Sequence, residues 1–299
     1  MIYTYGITQQ GLYHKKNNTV CQDAHKIIKC NDSYVIAAVA DGLGSEKYSD
    51  VASQMAVNIA TDYCSKNIQV EHPDAVLKVI KDSFALAQSQ IETHATEKEH
   101  DLDQYDTTLS LVIFDGENVY YGHSGDSGII ALTNDGLYKK VTEQQRDEDG
   151  RVYPLYFGEE KWVFGKLPDK GVSVMLATDG MLDIFFPIYI RNEPVDIYVA
   201  LAQYFMNPES LSIDSLGEEY VEQKISEFMD SISESKVSDD KTVVVLVNPD
   251  AQMTKQNYDY YEEPDWDSLI KKYEEEWKKA AYPHMYKDES SVEENNEDE

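Results

Sequence analysis

Aspartate carries the chemistry that can be read most directly from this chain. Gln22-Asp23, Asp41-Gly42, Asp179-Gly180 and Asp239-Asp240 are four acidic clusters, each beside a segment patterned as a β-strand. Crowded carboxylates raise one another's pKa unless a cation neutralises them, and a hard divalent ion is the usual cation for oxygen ligands. The pattern therefore predicts a metal site gathered from distant parts of the chain. Asp41 closes the apolar run Val35–Ala40, and Val174-Met175-Leu176-Ala177-Thr178-Asp179-Gly180 repeats that layout. Unbroken apolar runs mark strands buried on both faces, and Asp-Gly at their ends predicts sharp, exposed turns. Asp239-Asp240 instead precedes Thr242–Val247, at the start of a strand running antiparallel to the others, so that all four clusters can share one sheet edge.

The elements that must hold these acids follow from periodicity. A first strand near Ile2–Ile7 leads to a polar loop carrying His14, Lys15 and Lys16, then Asp23, then the strand Tyr34–Ala40. Val51, Met55, Ile59 and Tyr63, then Val76, Ile80, Phe84, Ala87 and Ile91, recur as the apolar faces of two helices. After Asp106-Thr107-Thr108 come three short strands, Leu109–Phe114, Val119–Gly122 and Ile129–Leu132, separated or followed by Asp115-Gly116 and Asn134-Asp135-Gly136. Such turns predict an antiparallel meander. The stretch 146–170 has no clean period and is expected to form a mobile flap. Val221, Ile225, Phe228 and Ile232 place a helix before Asp239. Strands without βαβ alternation, covered by helices, give the class α+β.

Composition sets bounds. The 299 residues are 41% hydrophobic, enough for one sizeable layered domain. Asn248-Pro249-Asp250 marks a boundary, dividing 1–248 from an acidic, aromatic-rich extension at 249–299. In that extension Asp267 is expected to cap a helix through Leu269, Ile270, Tyr273 and Trp277, with disorder over 289–299. Its functional alternatives are an internal regulator and a solubilising tail. A net charge of -30 argues against nucleic acid and anionic membranes as partners. Neither a leader segment nor a run of roughly 20 apolar residues is apparent. Cys21, Cys30 and Cys64 have no paired spacing, which points to a reducing compartment, the cytoplasm. Cys21 lacks a basic partner and is read as structural, and Gly42 and Gly44 are not followed by the Lys-Ser/Thr of a nucleotide loop.

Two strand-Asp-Gly junctions, Gly125-Asp126-Ser127 and a closing Asp-Asp-Lys-Thr-Val, in that order, resemble the metal-dependent protein phosphatases of type 2C, over about the first five-sixths of the chain. The resemblance implies a β-sandwich of two mainly antiparallel sheets flanked on both sides by helices, a four-layer αββα fold. It also implies a binuclear magnesium or manganese centre, with a third ion in some members, whose bridging water attacks phosphoserine or phosphothreonine in line. By position, Asp41 matches the acid that bridges both ions and the carbonyl of Gly42 the neutral ligand beside it, and Asp179 and Asp239 match two further ligands on one metal. Asp23 matches the first acid, Asp126 and Asp183 match the acids of the third ion, and Asp240 stands where the family usually has Asn. An extra carboxylate at Asp240 can also bind metal.

This chain departs from the best-known members at two positions. His14, Lys15 and Lys16 replace an arginine that grips phosphate, and Leu43 replaces a histidine that protonates the leaving group. His14 or Lys16 can supply the cationic contact, with His14 preferred, as in a bacterial branch of the family in which a histidine replaces the arginine, and the leaving group's proton can come from metal-bound water, His14 or His25. The implied partners are a phosphorylated protein and a cognate serine/threonine kinase, with the chain acting as a monomer. The alternative is a weakly active or inactive member that docks a phosphorylated partner.

Overall fold

The computed structural model describes residues 1–30, 33–68 and 72–283. In chain order, β1 (Tyr3–Gln9), α1 (Leu12–Asn17), β2 (Asp23–Cys30) and β3 (Tyr34–Asp41) lead into α2 (Ser49–Asn67) and α3 (Pro73–Glu97). Then follow β4 (Leu109–Phe114), β5 (Val119–Ser124), β6 (Gly128–Thr133), β7 (Tyr138–Lys140), β8 (Val163–Lys166) and β9 (Gly171–Ala177). The remainder is α4 (Asp179–Phe185), α5 (Val199–Met206), α6 (Pro208–Leu211), α7 (Ile213–Leu216), α8 (Glu218–Ser231), β10 (Lys241–Val247) and α9 (Trp266–Ala281).

Two antiparallel sheets result, ordered β1-β10-β9-β6-β7 and β2-β3-β4-β5-β8. Side chains alternate across a strand, and in β3 both sets are apolar. Val35, Ala37 and Val39 meet Val174, Leu176, Val244 and Leu246 of the opposite sheet. Ile36, Ala38 and Ala40 meet Ala52, Ala56 and Ala60 of α2. The other sheet packs its outer face against α4, α5 and α8 through Phe185, Phe205 and Ile225. The layers are therefore helix, sheet, sheet, helix, and the fold is the αββα sandwich that the motif order implied.

Several local expectations are corrected. β2 was not anticipated, because Asp-Ala-His-Lys-Ile-Ile-Lys-Cys lacks strict alternation; its pairing with β3 along the whole length, from Asp23↔Asp41 to Cys30↔Tyr34, makes it a strand. His14 lies on a helix, α1, and not in a loop. The predicted meander breaks after β5: β4 and β5 pair with each other, but β6 pairs with β7 and β9 in the other sheet. The crossing at Gly125-Asp126-Ser127 carries Asp126 to the end shared by both sheets. The acids thus gather at one end of two stacked sheets, not on one sheet edge. Within 146–170 the chain forms an Arg146–Val152 bridge and supplies β8 as an edge strand. Asp265, not Asp267, caps α9, its Oδ1 accepting from the Ser268 N–H at 3.2 Å.

The described part of the extension folds back on the body. Thr254 donates its N–H to the Asn134 carbonyl at 2.9 Å, the Tyr138 N–H donates to the Tyr260 hydroxyl at 2.9 Å, and Lys272 pairs with Glu193 at 2.6 Å. The predicted disorder over 289–299 lies outside the described residues.

Gly42 and Gly180 do not serve as positive-φ turns. They are glycines because backbone passes too close. A Cβ on Gly42 would lie 2.5 Å from the Ser49 carbonyl oxygen, and one on Gly180 would lie 2.1 Å from that of Asp240. Gly180→Ala should therefore cost about 1–3 kcal/mol of stability by overpacking, as measured by urea unfolding. Gly44→Ala is the control: its Cβ would meet only Gln22 Oε1 at 3.6 Å, and its change should stay within about 0.5 kcal/mol.

Candidate metal centre

Three strand ends and one sheet crossing converge. Asp41 terminates β3, Asp179 opens α4 directly after β9, and Asp126 occupies the crossing between β5 and β6. Carboxylate oxygens of these three lie within 4.8 Å of one another. Asp23 opens β2 and faces Asp41 directly across the ladder. Its Oδ2 accepts from the Thr178 hydroxyl at 2.8 Å, so the residue before Asp179 orients the acid on the opposite sheet.

Asp41 is held by its backbone. Its N–H donates to Thr108 Oγ1 at 2.9 Å, and its carbonyl accepts from the Thr108 N–H at 2.8 Å and the Thr107 hydroxyl at 3.0 Å. The Thr108 hydroxyl also meets that of Ser127 at 2.9 Å, beside Asp126. These hydroxyls leave the Asp41 carboxylate free to face its neighbours. Gly42 adjoins it, with its N–H donating to the Gln22 carbonyl at 3.1 Å.

Asp239 and Asp240 part ways. Asp240 is buried, and its two oxygens accept the Gly11 and Gln22 backbone N–H groups, each at 2.6 Å. His14 Nδ1 lies 2.9 Å from Asp240 Oδ1 and 3.9 Å from Asp239 Oδ1. The shorter approach is not aligned as a hydrogen bond. The Asp239 side chain is 59% exposed and stands close enough to Asp179 to raise its pKa. Asp183 sits one helical turn beyond Asp179, with Oδ1 accepting from Gln144 Nε2 at 3.1 Å.

The site is electrostatically strained. Burial pushes the Asp41 carboxyl well above the usual carboxylate range, and the charges of Asp23, Asp179 and Asp126 push it further. Asp23 is likewise raised, first by burial and then by Asp240 and Asp179, against the hydrogen bonds of Thr242 and Thr178. Asp126 is pushed up to about 7 by burial and by Asp179, with Arg146 opposing. Asp179 is raised by burial, against the hydrogen bond of Asp41, and by Asp239 and Asp183. A buried set of hard oxygen donors whose charges raise one another's pKa, with one guanidinium against two of them, has the chemistry that fits a divalent metal.

The other candidate residues are committed elsewhere. His25 Nδ1 meets the Thr8 hydroxyl at 2.7 Å, and burial lowers its pKa. Lys16 pairs with Glu234 at 2.6 Å. Sequence reasoning missed the Thr107, Thr108, Thr178 and Ser127 hydroxyls and, above all, Arg146, whose Nη2 is 2.5 Å from Asp126 Oδ2 and 3.2 Å from Asp179 Oδ2. The Thr-Thr pair after Asp106, and Arg146 standing before Asp147-Glu148-Asp149, were the available signals.

A sandwich with this acidic end defines the type-2C class of phosphatase folds. Residues 10–230 match the family model described as protein phosphatase 2C, and the chain belongs to that family. It is 30% identical over 122 residues to the serine/threonine phosphatase stp of Listeria welshimeri, covering 41% of this chain and 48% of the relative. The corresponding Listeria innocua protein is 29% identical over the same length. The chain thus spans about half the length of the curated relatives it matches. Among solved structures, Staphylococcus aureus serine/threonine phosphatase Stp1 superposes with a TM-score of 0.58 at 13% identity, over 83% of this chain and 95% of that one. Mycobacterium tuberculosis serine/threonine phosphatase PstP/Ppp gives 0.55 at 17%, over 82% and 98%. At these identities the likeness establishes the fold.

The raised Asp126 pKa has a signed consequence for stability. Between the ordinary Asp value near 3.9 and about 7, the folded protein holds a proton that the unfolded chain has released. Stability therefore falls as pH rises through that window. Without divalent cations, the melting temperature should be lower at pH 8 than at pH 5.5 by at least about 3 °C. Asp126→Asn should flatten that slope, and Mn2+ should raise the melting temperature more at pH 8, as measured by calorimetry.

Proposed function

We propose that the protein hydrolyses phosphoserine and phosphothreonine in protein substrates in a metal-dependent reaction, with the catalytic unit at 1–248. The observation that carries this reading is the mutual approach of Asp41, Asp126 and Asp179 within 4.8 Å, with Asp23 opposite Asp41. Asp23, Asp41, the Gly42 carbonyl, Asp179 and Asp239 would hold two ions, and Asp126 with Asp183 a third. Magnesium or manganese bound there would neutralise phosphoryl oxygens and acidify a water for in-line attack.

The chain's own groups divide the remaining work. Thr178 orients Asp23, and Thr107 and Thr108 fix the backbone of Asp41. Asp240 is assigned to positioning and not to ligation, because both of its oxygens are taken by backbone N–H groups of the segment that carries His14 and Gln22. His14, buried beside Asp239 and Asp240, is assigned with it to positioning. Asp239 is the outward-facing member of that pair.

The substrates would be the products of a cognate serine/threonine kinase, with the chain acting as a monomer. Free thiols at Cys21, Cys30 and Cys64 support a cytoplasmic setting. Among the described residues, no helix is long and apolar enough to cross a membrane.

Phosphopeptide hydrolysis should require added Mn2+ or Mg2+ and stop on chelation. Asp41→Asn should lower kcat by at least about 100-fold and weaken Mn2+ binding in a calorimetric titration. Undiminished turnover in the chelated protein would refute the reading.

A further inference from the structure

Arg146 is placed where a cation is wanted. Its Nη2 reaches Asp126 Oδ2 at 2.5 Å and Asp179 Oδ2 at 3.2 Å, two of the three acids whose oxygens cluster within 4.8 Å. A guanidinium and a divalent ion cannot both occupy that pair, since like charges at such distances repel strongly in a partly buried site. Loading the carboxylates must therefore expel the Arg146 side chain.

Its destination is limited by the segment that carries it. Gln145 donates its N–H to the Gly125 carbonyl at 2.8 Å, accepts the Gly125 N–H on Oε1 at 3.0 Å, and donates Nε2 to the Lys161 carbonyl at 2.8 Å. Arg146 itself bridges Val152. With its backbone so held, the side chain leaves the acids by rotating about its own bonds, toward the open side where it is already 39% exposed. There a cavity of about 770 Å³ is lined by Gln144, Arg146, Asp183 and Arg191. Arg191 forms no ion pair with any described residue. In a chain of net charge -30 with three arginines in all, Arg146, Arg151 and Arg191, two of the guanidinium groups line this one cavity, together with Lys140 and the carboxylates of Glu143, Asp183 and Asp196.

We propose that Arg146 is the phosphoryl-binding residue of this protein, held between Asp126 and Asp179 as their counter-ion until a divalent cation displaces it. The inference rests on the phosphatase reading for its substrate. It supplies from the segment after β7 the forked donor that the sequence lacks ahead of Asp23, and a planar guanidinium can bind two phosphoryl oxygens at once. The exchange couples the two ligands: metal frees the arginine, and phosphate then draws it away from the metal's carboxylates.

The test compares native protein, Arg146→Gln and Arg146→Lys in two calorimetric titrations. In the first, Arg146→Gln should bind Mn2+ about tenfold more tightly, because the competing cation is gone. In the second, with Mn2+ saturating, its affinity for inorganic phosphate should fall about tenfold, with a matching rise in KM for a phosphopeptide. Arg146→Lys should recover only part of the phosphate affinity, since an ammonium lacks the fork. Native-like phosphate affinity in Arg146→Gln overturns the proposal, whatever the metal isotherm shows, and so does unchanged Mn2+ affinity. If Mn2+-loaded native protein leaves the phosphopeptide intact, the phosphatase reading fails, and the two isotherms still decide the role of Arg146.

Discussion

Asp41, Asp126 and Asp179 bring carboxylate oxygens within 4.8 Å of one another at the end of a sandwich with an apolar interior. Burial and mutual repulsion both disfavour their charged forms. The raised pKa values of Asp23, Asp41, Asp126 and Asp179 are the measure of that conflict. A scaffold can tolerate it only if other interactions fix the backbone carrying each acid and leave the carboxylates available to a cation.

Those interactions are distributed over both sheets. The three cores between layers hold the strands in place, and hydroxyls and backbone N–H groups do the local work. Thr178 ties the sheet ending in Asp179 to Asp23 of the other sheet. Asp240 fastens the start of β10 to Gly11 and Gln22, and Gly180 lets that strand start pass against the head of α4. The same joint therefore sets the distance between the sheets and the distance between the acids.

Asp41, Asp179 and the Asp239-Asp240 pair were legible because each adjoins an apolar run, and the helices α2, α3 and α8 because their apolar residues recur at helical spacing. β2 was not legible: it is an edge strand of mixed character whose identity comes from pairing with β3. The break in the predicted meander at Gly125–Ser127 was equally hidden, since a tight turn between two strands reads alike whether the chain stays in one sheet or crosses to the next. Asp-Gly at 42 and 180 was noticed for the wrong physical reason, as a turn signal and not as a close backbone approach. The role of Arg146 could not be read from pattern, although its place before an acidic run was visible. The residue lies in an aperiodic stretch, and its meaning comes entirely from the two acids it meets in space.

The central claim is that these distant aspartates jointly hold divalent cations. Anomalous diffraction from crystals grown with Mn2+ tests it most directly. The expected result is anomalous density bounded by Asp23, Asp41 and Asp179, with carboxylate oxygens at about 2.0–2.3 Å. Crystals containing Mn2+ in which that space holds no anomalous density, and the carboxylates keep their present contacts, would contradict it.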